Sequence, residues 1–301
     1  MKTAIAAFNR TPPAFQLTIG AVLISFSGVW VKIAHVSPVV AGFYRMLFGG
    51  LVLLALVLVR KDLRFRGPGY LLIGLFCSFW LAMDLVLWHF SIHMNGPGLA
   101  TILANFQVFF LALAGIFFLG ENLNLKLAVS IPLAFFGLFL VVGIQWGRLS
   151  GDYRRGIYAG LTAAVCYALF LLSLRKIQKR DNPLTAAANL TIITLLAAAF
   201  LALDIQCRGG SFGIPDTQSI LVLCVYGITS QAVGWLIITR ALPNLKVSLA
   251  GMLLLLQPAL AFTWDMLFFN RETTPVSLAG IAITLAAIYI GVTSRPAAAG
   301  E

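Results

Sequence analysis

The run SFWLAMDLVLWHF (residues 78–90) carries a carboxylate, Asp84, one helical turn after Trp80 and one turn before Trp88. The i, i+4, i+8 spacing places all three on one face of a helix. An acid flanked by indoles suits a cationic or amphipathic ligand, held by a hydrogen bond to the carboxylate and by cation–π contact. Arg45 supplies the opposite charge from a second apolar run. Two chemistries follow. The pair could close on itself, which is the cheapest way to neutralise two charges in hydrocarbon. Alternatively, an open pair could hold an amino acid, with the carboxylate on Arg45 and the ammonium on Asp84.

Further polar residues fall inside apolar runs. Asn105 lies at a depth similar to Arg45 and Asp84, about 10–12 Å in at ~1.5 Å per residue, so the three form one layer. Gln231 and Trp235 are one turn apart, and Gln257 stands beside Pro258. Buried amides commonly join membrane helices, and their central depth also makes them candidate substrate contacts. Ser25, Ser27 and Tyr167 are weaker candidates of the same kind. His89 could carry a proton near neutral pH, or simply be solvated at the mouth of the site; His93 reads as loop. Trp88, Trp30 and Trp264 lie near run ends and read as interfacial anchors. Pro132 and Pro258 each remove a backbone donor and predict kinks. No HExxH, GxSxG, acidic cluster or phosphate-cradling loop occurs, so neither a catalytic residue nor a metal or cofactor is expected.

These residues need helices in a bilayer to position them. The 301-residue chain is 60% hydrophobic and only 10% charged, with mean hydropathy +0.95. Soluble domains carry about 25% charged residues. Ten apolar runs reach the ~20 residues needed to cross a bilayer: 15–35, 38–59, 70–92, 97–119, 125–144, 154–178, 184–204, 218–240, 245–269 and 275–294. The first is too long for the apolar core of a cleavable signal. Short links such as HMNGPG (93–98) and PNLK (243–246) predict tight helical hairpins. Cys77, Cys166, Cys207 and Cys224 show no CxxC spacing and predict neither disulfide framework nor zinc site.

The formal charge of +11 comes from 21 Lys and Arg against 10 Asp and Glu. The basic residues sit in short clusters between apolar runs, as in RKDLRFR (60–66) and RKIQKR (175–180), so topology explains them and a nucleic-acid partner does not. With a cytoplasmic N terminus, 14 of the 21 fall on that side and 6 on the other, leaving Arg45 within a span. The positive-inside rule therefore puts both termini in the cytoplasm.

The halves repeat. FFLGENLNLKLA (117–128) aligns with FFNRETTPVSLA (268–279) at an offset of 151 residues, matching Glu121 with Glu272. Both copies fall between the fourth and fifth run of a five-run half, and an odd number of spans inverts the second copy. Inverted repeats typify secondary transporters, with substrate near the midplane between the halves. At membrane edges, the two glutamates read as capping or loop-ordering residues.

Ten runs, two five-run halves and a Glu closing the fourth run of each resemble the EamA-type branch of the drug/metabolite transporter superfamily, with likeness to the YddG-like bacterial exporters of aromatic and other amino acids. The second half departs from the FLGE signature with FNRE. The resemblance covers essentially the whole chain. It implies an all-α inner-membrane exporter, two inverted five-helix repeats (1–148 and 149–301) around a central cavity, and alternating access. Lipophilic drug cations would need the acid without the arginine. Phosphorylated substrates would need more cations than Arg45 alone. A channel would need rings of like residues or a filter motif, and a scaffold larger extramembrane regions.

Overall fold

The computed structural model describes residues 11–62, 68–95, 97–121, 125–142, 151–179, 185–270 and 274–292. Within these the regular structure is helical: α1 Pro13–Ser25, α2 Ser27–Ile33, α3 Pro38–Arg60, α4 Pro68–Asn95, α5 Pro97–Asn105, α6 Gln107–Leu119, α7 Leu125–Val142, α8 Gly151–Lys179, α9 Ala186–Cys207, α10 Thr217–Tyr226, α11 Trp235–Ala241, α12 Val247–Leu254, α13 Leu256–Phe269 and α14 Pro275–Val292. A π-helical stretch, Gly227–Gly234, joins α10 to α11, and a 3₁₀ turn, Leu242–Asn244, follows α11.

Helix starts follow local chemistry. Ser37, Thr185 and Asp216 cap α3, α9 and α10 by accepting from Val40 N, Ala188 N and Ser219 N. Proline opens α1, α3 and α14 where no backbone donor is missed. Gly120 and Asn270, at φ 63° and 48°, follow α6 and α13 in the left-handed conformation that ends helices.

Taken through their breaks, the helices form ten segments among the described residues. Seven are long and apolar enough to cross a membrane, and three shorter apolar ones run Leu103–Leu119, Leu125–Leu140 and Pro275–Gly291. The exterior suits lipid: Phe117, Phe118 and Val59 stand exposed. The interior is built from side chains such as Leu17, Met46, Leu53, Leu111 and Phe170.

The breaks have identifiable causes. Pro258 cannot donate to the carbonyl four residues earlier, and α12 ends at that residue, Leu254. Pro132, by contrast, lies inside an unbroken α7. Segment one breaks at Phe26, where Ser25 and Ser27 hydroxyls donate back to Val22 O and Ile24 O, a bonding pattern that bends helices.

Numbered one to ten in chain order, the segments pack in a regular scheme. Three lies on six and eight on one; two lies on eight and seven on three; four lies on six and nine on one; five lies on ten, two on seven and four on nine. Exchanging segments one to five with six to ten maps this set onto itself.

Candidate functional site

The polar centre is built where α3 meets the π-helical stretch. Gly49 and Gly227 let the two backbones touch: a Cβ on Gly49 would stand 2.5 Å from Gln231 Cβ, and one on Gly227 would stand 2.7 Å from Gly49 N. Such contacts forbid any larger residue, so glycine here sets the helix separation. The wider π winding turns Gln231 toward α3, and π segments often occur at functional sites.

Arg45 reaches across this contact. Its Nε donates to Gln231 Oε1 at 3.1 Å and Nη1 to the Tyr226 hydroxyl at 3.4 Å, with the guanidinium carbon 5.4 Å from the Tyr226 ring centre. Gln231, only 1% exposed, donates its Nε2 to Thr194 Oγ1 on α9 at 2.9 Å. Arg45 is thus fixed by three segments.

Asp84 is buried on α4, near enough to Arg45 for the two charges to act on one another. None of the ion pairs within 4.0 Å among the described residues includes Asp84. Of the two arrangements the sequence left open, the closed Arg45–Asp84 pair is not among these ion pairs, and the guanidinium is held by Gln231 and Tyr226 instead. Tyr167 on α8 lies close to both charges and beside the Gln257 amide.

Aromatic rings wall this region. Trp235, 3% exposed, packs edge-on against Phe170 and Tyr167 at centroid distances of 5.2 and 6.3 Å. Trp80 packs edge-on against Phe76 and Phe79. The indole N–H groups of Trp80 and Trp235 are buried without hydrogen-bond partners among the described residues, and the Gln257 amide lies beside the Tyr167 hydroxyl. Unmet buried donors cost free energy, and a substrate carboxylate or carbonyl would satisfy them.

Of the residues singled out in the sequence, Arg45, Asp84, Gln231, Trp235 and Gln257 gather with Tyr167, and Trp80 stands one turn from Asp84. Asn105 bonds locally instead, donating to Thr101 O at 2.7 Å where segment four breaks. His89 packs its ring beside Trp88 and against α3 at Gly42, within hydrogen-bonding reach of the Leu85 and Pro38 carbonyls. Trp264 donates to Ser25 Oγ at 2.8 Å and stacks on Phe26. Tyr226 and Thr194 escaped sequence reading. Tyr226 is five residues before Gln231, off one face in an α-helix, and only the π winding makes them neighbours.

Glu121 forms a second junction at one end of the bundle. Its carboxylate accepts from Val247 N at 2.6 Å, Ser248 N at 3.2 Å and Ser248 Oγ at 2.9 Å, capping α12. Arg175 stands 3.6 Å from the same carboxylate and donates to Leu245 O at 2.7 Å. Glu272 lies outside the described residues. At the opposite end, His35 meets Asp216 at 2.8 Å and Tyr44 donates to Phe212 O at 2.6 Å.

The model of the EamA-like transporter family matches the chain twice, over residues 12–143 and 154–293. The chain belongs to the EamA-like transporter family. Similar proteins include two uncharacterized transporters of Archaeoglobus fulgidus. One is 19% identical over 278 residues, covering 90% of this chain and 95% of the relative. The other is 24% identical over 274 residues, covering 91% and 94%. A WAT1-related chloroplastic protein of Arabidopsis thaliana is 23% identical across 66% of this chain and 49% of its own length. One crystal structure shares the fold at a TM-score of 0.79, with 17% identity and coverage of 92% and 95%. As an EamA-like protein, the chain is a multi-pass membrane transporter, which places its polar centre within a bilayer-embedded bundle.

Proposed function

We propose that this transporter exports amino acids, aromatic and other neutral ones included, across the bacterial inner membrane by alternating access. The observation that carries the reading is the open charge pair: Arg45 held by Gln231 and Tyr226, and Asp84 buried near it without an ion pair within 4.0 Å among the described residues. A charge at mid-helix costs about 2.5–3.5 kcal/mol on insertion scales, and a zwitterion satisfies both at once. Its carboxylate meets Arg45 and its ammonium Asp84. Trp80 and Tyr167 offer apolar wall to the side chain, backed by the buried Trp235, and the Trp80 N–H and the Gln257 amide suit its carboxylate oxygens. His89 and Asn105 lie outside the contacts that join this cluster and are assigned a peripheral role.

The transport frame is ten spans in two inverted five-span repeats, 1–148 and 149–301. The self-exchanging packing scheme and the two family matches support it. The Lys and Arg bias supports cytoplasmic termini.

Purified protein in liposomes loaded with labelled phenylalanine, threonine or methionine is expected to release label faster than empty vesicles. Absence of movement for every amino acid would sink the substrate assignment. Asp84 beside Trp80 also favours a second reading, export of lipophilic cations. The two separate on Arg45→Gln, which should stop amino-acid efflux but spare cation efflux.

A further inference from the structure

We infer that Gln231 is a positioning residue that holds Arg45 away from Asp84 and thereby keeps the site open to a carboxylate-bearing substrate. The inference rests on the amino-acid reading above and reassigns Gln231 from substrate contact to support of one.

Both polar atoms of the Gln231 amide are engaged. Oε1 accepts from Arg45 Nε at 3.1 Å and Nε2 donates to Thr194 Oγ1 at 2.9 Å. With Gln231 at 1% exposure and Thr194 at 0%, neither group has room for a substrate. The relay runs from α9 through the π-helical stretch to α3, so three segments fix one guanidinium. Tyr226 adds its ring face and its hydroxyl oxygen beside the same group. Nη2 makes no hydrogen bond among the described residues, which leaves an edge of the fork for a carboxylate.

The alternative state is clear from charge alone. An arginine with its Nε released would find Asp84, a buried carboxylate with no ion pair within 4.0 Å among the described residues. The two would then form the closed pair, and a zwitterion would have to break it before binding. Gln231 thus acts against self-neutralisation. The local backbone serves the same end: Gly49 and Gly227 admit the close approach, and the π winding aims the amide.

The test is Gln231→Met, similar in size and without the hydrogen bonds, with equilibrium binding of phenylalanine and of phenethylamine, which lacks the carboxylate. Phenylalanine is expected to weaken about 10-fold or more, as for loss of one charge-assisted contact, and phenethylamine to change by less than about 3-fold, within the energy of one weak contact. In an Arg45→Gln background the Gln231 change should add no further weakening, since its effect runs through Arg45. Thr194→Val, which cuts only the outer link, should shift phenylalanine in the same direction by less, and serves if the Gln231 variant does not fold. Equal weakening of both ligands, or no change in either, would overturn the positioning role. If wild-type protein binds phenylalanine and loses it on Arg45→Gln but not on Gln231→Met, the amino-acid reading stands and this inference alone fails. Wild type that binds no amino acid defeats both.

Discussion

The Trp80–Asp84 pair on α4 and the Gln231–Trp235 pair of segment eight sit at the same interval, 151 residues apart. Each is an aromatic and a polar residue one turn apart, but in reversed order. In the first half the carboxylate has no ion pair within 4.0 Å among the described residues. In the second the amide is saturated by Arg45 and Thr194, and the indole is packed into the core. The backbones differ as well: α4 is regular α-helix, whereas segment eight is π-wound over Gly227–Gly234. On the reading proposed above, the difference is a division of labour: one segment presents charge, and the other orients the opposing charge.

The largest expected effect tests the presenting side. Asp84→Asn should abolish amino-acid efflux from liposomes, by about 100-fold or more if a charge-assisted contact is lost, with the protein still monodisperse on size exclusion. Retained efflux would make Asp84 dispensable for transport and remove the presenting side of the comparison. Next, the two tryptophans should respond oppositely. Trp235→Ala opens a hole in the core and should cost about 3–5 kcal/mol, read as a large drop in Tm in detergent. Trp80→Ala, only partly buried, should leave Tm nearer wild type and weaken substrate binding instead. Equal effects from both would dissolve the contrast.

Smaller effects come from the anchors of the second half. Glu121→Ala removes the cap of α12 and should cost about 1–2 kcal/mol, seen as a lower Tm; Glu121→Gln should recover part of it. The smallest is at Asp216, which caps segment eight at its far end. The Ser219 backbone N–H, and then the His35 contact, hold its carboxyl below the ordinary aspartate value. A lowered value means the folded state favours the ionised form, so the cap is present above the unfolded pKa and is lost as pH falls through the folded one. Carbon-detected NMR should show Asp216 titrating below pH 3.8, and Ser219→Gly, which removes the hydroxyl, should raise that midpoint only slightly.

Much of the helical framework was legible in the sequence because hydrocarbon forces it: a segment that must satisfy every backbone group internally shows as a long apolar run. The break before Pro258 was legible too, since a ring without an N–H acts locally. Pro132, by contrast, leaves α7 continuous. Arg45 and Asp84 stood out because charge is expensive in lipid. Tyr226 and Thr194 did not, because a phenol and a hydroxyl in an apolar run are cheap and common. The contact of His89 with Gly42 was not legible either, since Gly42 lies on another helix.

By itself the sequence determined that the chain lives in a membrane, where its helices run, and which two charges need an explanation. Only the tertiary structure decided that those charges stay apart. Whether an arginine meets an aspartate or a glutamine depends on which helices touch and at what separation. That was settled by a glycine contact between α3 and segment eight and by one π-helical turn, whose effects reach across 182 residues from Gly49 to Gln231 and leave no periodic trace along the chain.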